Sequence, residues 1–256
     1  MGTGPRLKFL LHATILFFVS PCGLPAQQPS EPSEEERFFF DSANRERAAQ
    51  HLPPLKWDAA LAEAARRHAL LMSDERDLSH QLPGEPPLDQ RAAQAGARFS
   101  QVGENIAMGR VPHAIHTGWM HSPGHRANIL DVHFTALGVG VIEDDGKLYA
   151  VEDFSVAIAN ITIEAQEGKV ATLLAAKGIR VSNERRDLAR KVCSDEHTPT
   201  GPMLIMSYEA PDISELPEPL VRNLREGKHR QAAVGACQPK GNAKGFARFR
   251  ITVLLF

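Results

Sequence analysis

The sequence predicts an α+β protein, with helices first and an antiparallel sheet after them. Three observations predict it. Apolar residues recur at helical spacing through Leu61, Ala65, Ala69 and Met72 in the alanine-rich stretch KWDAALAEAARRHALLM. Two alternating β-type runs flank Asp144-Asp145-Gly146 in TALGVGVIEDDGKLYAVEDFSVA, the clearest hairpin signal in the chain. Four helical segments precede that hairpin, which places one layered α+β domain over 37–158.

The first helix is FFFDSANRERAAQHL, entered near Arg37 and closed by Pro53-Pro54. KWDAALAEAARRHALLM is the second, with Asp58 placed to cap it. LPGEPP is a loop, and LDQRAAQAGARF a shorter third helix ending near Gly96. VGENIAMG follows as a short strand or turn. PHAIHTGWMHS is a fourth helix with Pro112 in its first turn, interrupted by Pro123-Gly124 before HRANILD resumes. Beyond the hairpin the composition shifts, and 159–256 reads as an additional small α+β region. It holds a helix in EAQEGKVATLLAAKGI, a strand in MLIMSYEA, a helical piece in LPEPLVRNLREG and a hairpin in AAVGACQPKGNAKGFARFRITVLLF. ALGVGV and AAVGAC have a similar layout, so this region is either a degenerate repeat of the first domain or an unrelated hairpin of ordinary form. Glu184-Arg185-Arg186-Asp187 is a charge run, read as a solvated helix face.

With 256 residues the chain has material for two modest cores. Lys+Arg 29 against Asp+Glu 31 is nearly balanced, and no basic stripe is interleaved with aromatics, so no nucleic-acid partner is expected. The N-terminus has the order of a secretory signal: Arg6 and Lys8, the apolar run FLLHATILFFVS, then PCGLPAQQ with Ala26 as the exit. The expected division is a signal peptide over 1–26 and a polar linker, QQPSEPSEEE, over 27–36. The apolar run is shorter than the roughly twenty residues of a membrane span, so no stable span is expected after cleavage. Lipid attachment at Cys22 is the other reading, disfavoured by Pro21 where a small residue is needed. The expected location is outside the cytoplasm, extracellular or periplasmic. There, Cys193 and Cys237 are expected to pair as a disulfide.

Several segments of 37–158 resemble bacterial members of the CAP superfamily (cysteine-rich secretory proteins, antigen 5 and pathogenesis-related 1). They are NRERAAQHLPPLKWDAALAEAARRHA, DLSH, VGENIAMG, GWMHSPGHRANIL and FTALGVGV with its following strand ending in DFS, in the family's order and at its spacing. The resemblance implies a three-layer α-β-α sandwich with a groove where two histidines face one or two glutamates. Carried over by position, these are His80 in DLSH, Glu104 in GENIA and His125 in SPGHR. The fuller pattern places a second acid between the GEN segment and the second histidine, and no Asp or Glu occurs from Asn105 to Leu130.

Two imidazoles and a carboxylate allow three uses. His80 and His125 are the candidate ligands of Zn2+ or another divalent ion. Glu104 is the candidate catalytic residue, orienting or deprotonating a water. The cluster could instead tie the layers together structurally. There is no HExxH helix and no GxSxG elbow, which weighs against the common hydrolase arrangements. His121 is a reserve ligand and, with Asn105, Trp119 and Asn128, a groove-support residue; His113 and His116 are read as solvated, and His68 as a packed or rim histidine. Trp119 is read as a core anchor beside the groove. Asn105 and Asn128 are expected to bond backbone and so hold Glu104 and His125 in place. The leading expectation is a secreted module whose groove takes a small ligand, lipid or peptide. The alternatives are a secreted metal-dependent hydrolase of peptides or cell-wall material and a non-catalytic interaction protein.

Overall fold

Ser33 and Glu36 start the first helix by bonding each other's backbone amides, a reciprocal capping box. The helix therefore begins three residues before the sequence boundary, and Ser33 to Glu36 belong to the domain rather than to a linker. The computed structural model describes residues 31–196, 200–201, 203–239 and 246–256. The expected signal peptide, Cys22 and the linker up to residue 30 lie outside these residues, as do residues 240–245 of the segment expected to form the second hairpin.

The first lobe runs α1 (Glu34–Ala49), β1 (Lys56–Trp57), α2 (Ala59–Glu75), α3 (Leu88–Gln94), β2 (Phe99–Gly109), α4 (Pro112–His121), α5 (Pro123–Leu130), β3 (Ala136–Asp144) and β4 (Lys147–Ala157). Lys56 and Trp57, expected in the second helix, instead pair in parallel with Ala136 and Leu137. The helix can begin only after Asp58, whose carboxylate accepts from the amides of Ala60 and Leu61. Of the two readings of VGENIAMG the strand holds: it is the last eight residues of an eleven-residue strand. Pro123 does end α4, and it also occupies the first turn of α5, where its missing N–H costs nothing. Asp145 and Gly146 turn the hairpin with φ of 49° and 69°, the positive values its tight turn requires.

The sheet order is β1-β3-β4-β2, so β2 is an edge strand. Strand alternation sends its residues to two helical layers. On one face, Ile106, Tyr149 and Val151 pack against Ala65, Ala69 and Met72 of α2. On the other, Leu137, Val139, Ala150 and Phe154 meet Phe39 of α1, Trp119 of α4 and Ile129 of α5. This is the three-layer α-β-α sandwich. Gly138 and Gly140 permit its close approach: a Cβ on Gly138 would lie 2.1 Å from the Ala62 amide nitrogen, and one on Gly140 2.2 Å from that of Arg66.

The second lobe runs α6 (Ile163–Ala176), β5 (Arg180–Val181), α7 (Arg186–Cys193), β6 (Leu204–Ala210), α8 (Glu218–Arg225), β7 (Gln231–Cys237) and β8 (Phe249–Leu255). Its sheet order is β5-β7-β8-β6. The charge run 184–187 opens α7, whose Ala189 and Cys193 are buried. Cys193 and Cys237 are joined by a disulfide between α7 and β7. The lobes meet where Phe246 lies beside Phe99, ring centroids 5.4 Å apart, and the Ala247 amide donates to the Phe99 carbonyl at 2.8 Å.

Candidate functional site

Glu104 projects from edge strand β2 into the α2–α3 layer and is buried. Its Oε1 lies 2.8 Å from His80 Nδ1, and its Oε2 accepts from Arg91 of α3. Arg91 also donates to the His80 carbonyl at 3.0 Å, so one guanidinium holds both the carboxylate and the backbone of the histidine beside it. The hydrogen bond to Glu104 raises the pKa of His80, with partial burial acting against it. The His80 ring reaches the surface, its side chain 63% exposed.

His125 approaches from the opposite layer, in the first turns of α5. Burial lowers its pKa, and the charge of nearby His80 acts in the same direction. Its Nδ1 is buried with no hydrogen-bond partner. Two asparagines set its position. Asn105 Nδ2 donates to the His125 carbonyl at 3.2 Å, and Asn128 Nδ2 donates to the Glu104 carbonyl at 3.0 Å. Asn128 also donates to Asn105 Oδ1 at 2.9 Å. The pair therefore crosses the free edge of β2 and fixes the two motif segments to each other. Arg47 secures the far end of α5, donating to the carbonyls of Ile129, Asp131 and Phe134 while itself fully buried.

The segment 105–130 holds no acid, yet the site is rich in carboxyl groups drawn from elsewhere. Glu85, in the loop before α3, lies 2.7 Å from Nδ1 of buried His68 and 3.4 Å from Arg91. His68 is thus packed, as the sequence suggests. Asp153 pairs with Glu104 in the β2–β4 register, and Glu152 with Asn105. Both are fully buried. Burial pushes Glu152 up to about 8, against the amide of Asn105 3.1 Å away. Burial also holds Asp153 well above the usual carboxylate range, and the Glu104 charge adds to this while Arg91 opposes it. Sequence reasoning missed Arg91, Glu85, Glu152 and Asp153 because nothing local marks them. Only the strand register could have found the last two.

From His125 a groove of about 400 Å³ runs along β2 beneath α4. Its walls are mainly apolar, formed by Leu78, Ile106, Met108, Ile115 and Trp119. Leu78 and Met108 leave much of their surface in water. Trp119 is both wall and anchor, donating to the Ile106 carbonyl at 3.2 Å and packing 5.1 Å from the Phe39 ring. His121 does not join this cluster. It is exposed, bonded to the Thr117 carbonyl, and lines a separate depression with Met120 and Arg126. His113 is exposed as expected, but His116 is buried against α1, 3.7 Å from Glu46, which corrects its reading as solvated.

Among the described residues no three His, Cys, Asp or Glu side chains form a ready metal cage. No helix among them is long and apolar enough to cross a membrane.

Residues 40–157 match the family model described as the cysteine-rich secretory protein family, CAP. The chain is 38% identical over 117 residues to the protein YkwD of Bacillus subtilis, covering 45% of each chain. It is 37% identical over 116 residues to the membrane protein YlbC of the same organism, covering 44% of this chain and 32% of that one. The match thus spans less than half the length of either relative. A solved extracellular protein with an SCP domain from Bacillus anthracis is 34% identical, with TM-score 0.45, over 47% of this chain and 40% of that one. An outer surface protein from Borrelia burgdorferi is 19% identical, with TM-score 0.46, over 50% of this chain and 96% of that one.

Proposed function

We propose that residues 40–157, a domain of the cysteine-rich secretory protein (CAP) family, act outside the cytoplasm as a binding module. Its groove takes the apolar part of a small ligand, lipid or peptide, and a polar end meets His80 and His125. The single observation that carries this reading is the groove itself: apolar walls from Leu78 to Trp119, with His125 at one end. Such a combination of apolar lining and a few placed polar groups is how small-molecule sites are built. The hydrophobic N-terminal run and the Cys193–Cys237 disulfide support the location.

The same reading allows a divalent ion such as Zn2+ at the two imidazoles. His80 commits Nδ1 to Glu104 and keeps Nε2 for a ligand bond, the arrangement in which a carboxylate orients a metal-binding histidine. His125 contributes a buried nitrogen that no protein group satisfies. Bound there, the ion would supply an electrophilic contact for the ligand's polar end, and water or ligand would complete its coordination. Glu104 is less suited to be a general base, because Arg91 and His80 already engage both of its oxygens. Binding is therefore placed ahead of hydrolysis.

The test uses a fluorescent long-chain fatty acid and Zn2+ as separate probes of the full chain. Ala114→Trp, which fills the groove, should abolish fatty-acid binding and leave Zn2+ uptake intact. His80→Ala with His125→Ala should abolish Zn2+ uptake. Unchanged fatty-acid affinity in Ala114→Trp would overturn the groove, and retained Zn2+ in the double variant would overturn the metal site.

A further inference from the structure

We infer that residues 163–255 are a second copy of the helix-and-sheet core of residues 34–157, one from which the site has been removed. Both sheets have the same order and the same directions. A parallel pair, β1 with β3 or β5 with β7, is followed by two antiparallel pairs.

The registers also coincide. Placing Gly235 on Gly140 sets Ala232 on Leu137 and Thr252 on Val151, because Gly140 pairs with Val151 and Gly235 with Thr252. Leu137 pairs with Trp57 and Ala232 with Val181, so the short first strands then match. Two residues further along β4 and β8, Asp153 matches Leu254. Their partners, Glu104 and Ile205, match in turn. A one-residue slip in any pair would break this agreement and turn every side chain to the wrong face.

The helix layer agrees independently. A Cβ on Gly140 would meet the backbone of Ala65 and Arg66 at 2.3 and 2.2 Å, and one on Gly235 would meet that of Ala189 and Arg190 at 2.3 Å each. Ala189-Arg190 therefore stands where Ala65-Arg66 stands. Each arginine pairs with a buried glutamate of the preceding helix, Arg66 with Glu36 at 2.6 Å and Arg190 with Glu167 at 2.7 Å. Three residues on, Cys193 takes the place of Ala69. Two residues after the glycine, Cys237 takes the place of Ile142. Ala69 and Ile142 share one apolar cluster in the first lobe, and the second lobe has a disulfide at that contact.

The four strand residues of the site have apolar counterparts. Ile205 replaces Glu104, Met206 replaces Asn105, Val253 replaces Glu152 and Leu254 replaces Asp153. Val253 and Leu254 are fully buried, and Leu254 and Ile205 join Ala189, Ala233 and Phe256 in a cluster facing α7. These strand positions offer no proton and no hydrogen bond to a ligand. The chain carries the fold twice and this strand-borne site once.

The equivalence is tested by moving the disulfide in the full chain carrying Cys22→Ser, so that Cys193 and Cys237 are its only native cysteines. Ala69→Cys with Ile142→Cys should close a second bridge beside Cys193–Cys237. The unreduced, denatured protein should then show no free thiol, and its peptide map should contain a 69–142 link. Ala69→Cys with Val141→Cys, where residue 141 faces the other layer, should keep two free thiols. A folded first variant with residues 69 and 142 still reduced would overturn the inference. If that variant does not fold, the reverse exchange decides. Cys193→Ala with Cys237→Ile installs the first lobe's own pair and should keep one cooperative unfolding transition with native near-UV dichroism. Loss of that transition would overturn the inference as well.

Discussion

Glu104 and Asp153 stand opposite each other in the register of β2 and β4, one carboxylate tied to Arg91 and His80, the other buried without a donor. The Asp153 pKa is held well above its ordinary range by burial and by Glu104. The native state therefore keeps a proton that the unfolded chain releases as pH rises past the usual carboxylate range. Where the native state binds more protons, stability falls with rising pH. Asp153→Asn should match wild type near pH 4 and become progressively more stable above it. Urea melts at pH 4, 6 and 8 check this, and a pH-independent difference would contradict it.

Glu152 gives a related but bounded case. Burial pushes it up to about 8. Wild type should lose stability relative to Glu152→Gln between the ordinary glutamate range and about pH 8, and the difference should level off above that. The glutamine retains an acceptor for Asn105 Nδ2, so the Asn105–Asn128 bridge stays in place. A difference still growing well above pH 8 would show that another group is titrating.

Arg91 holds two carboxylates in a site where its side chain is only 5% exposed. Removing one partner of a buried ion pair costs about 3–5 kcal/mol, and Arg91→Ala should lower unfolding stability by that order. It should also raise the His80 pKa further, because the Arg91 charge at present lowers it. Chemical denaturation reads the first effect and an NMR titration of the His80 ring reads the second. An unmoved His80 pKa would remove Arg91 from the electrostatics of the site.

Gly140→Ala should prevent α2 from seating on the sheet, because the added carbon would sit 2.2 Å from backbone that cannot move aside. Gly118→Ala is the contrast. Nothing lies within 4 Å of a Cβ there, and the residue is inside α4. Replacing a helical glycine by alanine should stabilise by roughly 0.5–1 kcal/mol. Equal effects at the two positions, read by thermal melts, would show that the layer spacing is not set by Gly140.

Much of the local structure follows from short-range chemistry. Asp58 caps α2, Pro123 divides α4 from α5, and Asp145-Gly146 supplies the positive φ values of the hairpin turn. The apolar stripe Leu61, Ala65, Ala69 and Met72 is fully buried, as its period requires. The roles of Asn105 and Asn128 were legible as well, since each bonds the backbone of the other motif segment. Lys56 and Trp57 were misplaced because a two-residue parallel strand has no period of its own and exists only through Ala136 and Leu137.

The sequence by itself determined the α+β class and the order of the longer helices and strands of the first lobe. Those depend on nearest-neighbour chemistry and on motif spacing. Tertiary structure alone decided what surrounds Glu104. Arg91 and Asp153 reach it from a helix and a partner strand, Glu85 of a loop is held beside Arg91, and their effect on one another depends on separation and burial rather than position in the chain. It also decided that the second lobe repeats the order and register of the first sheet. Register is a property of paired strands, and no single strand carries it.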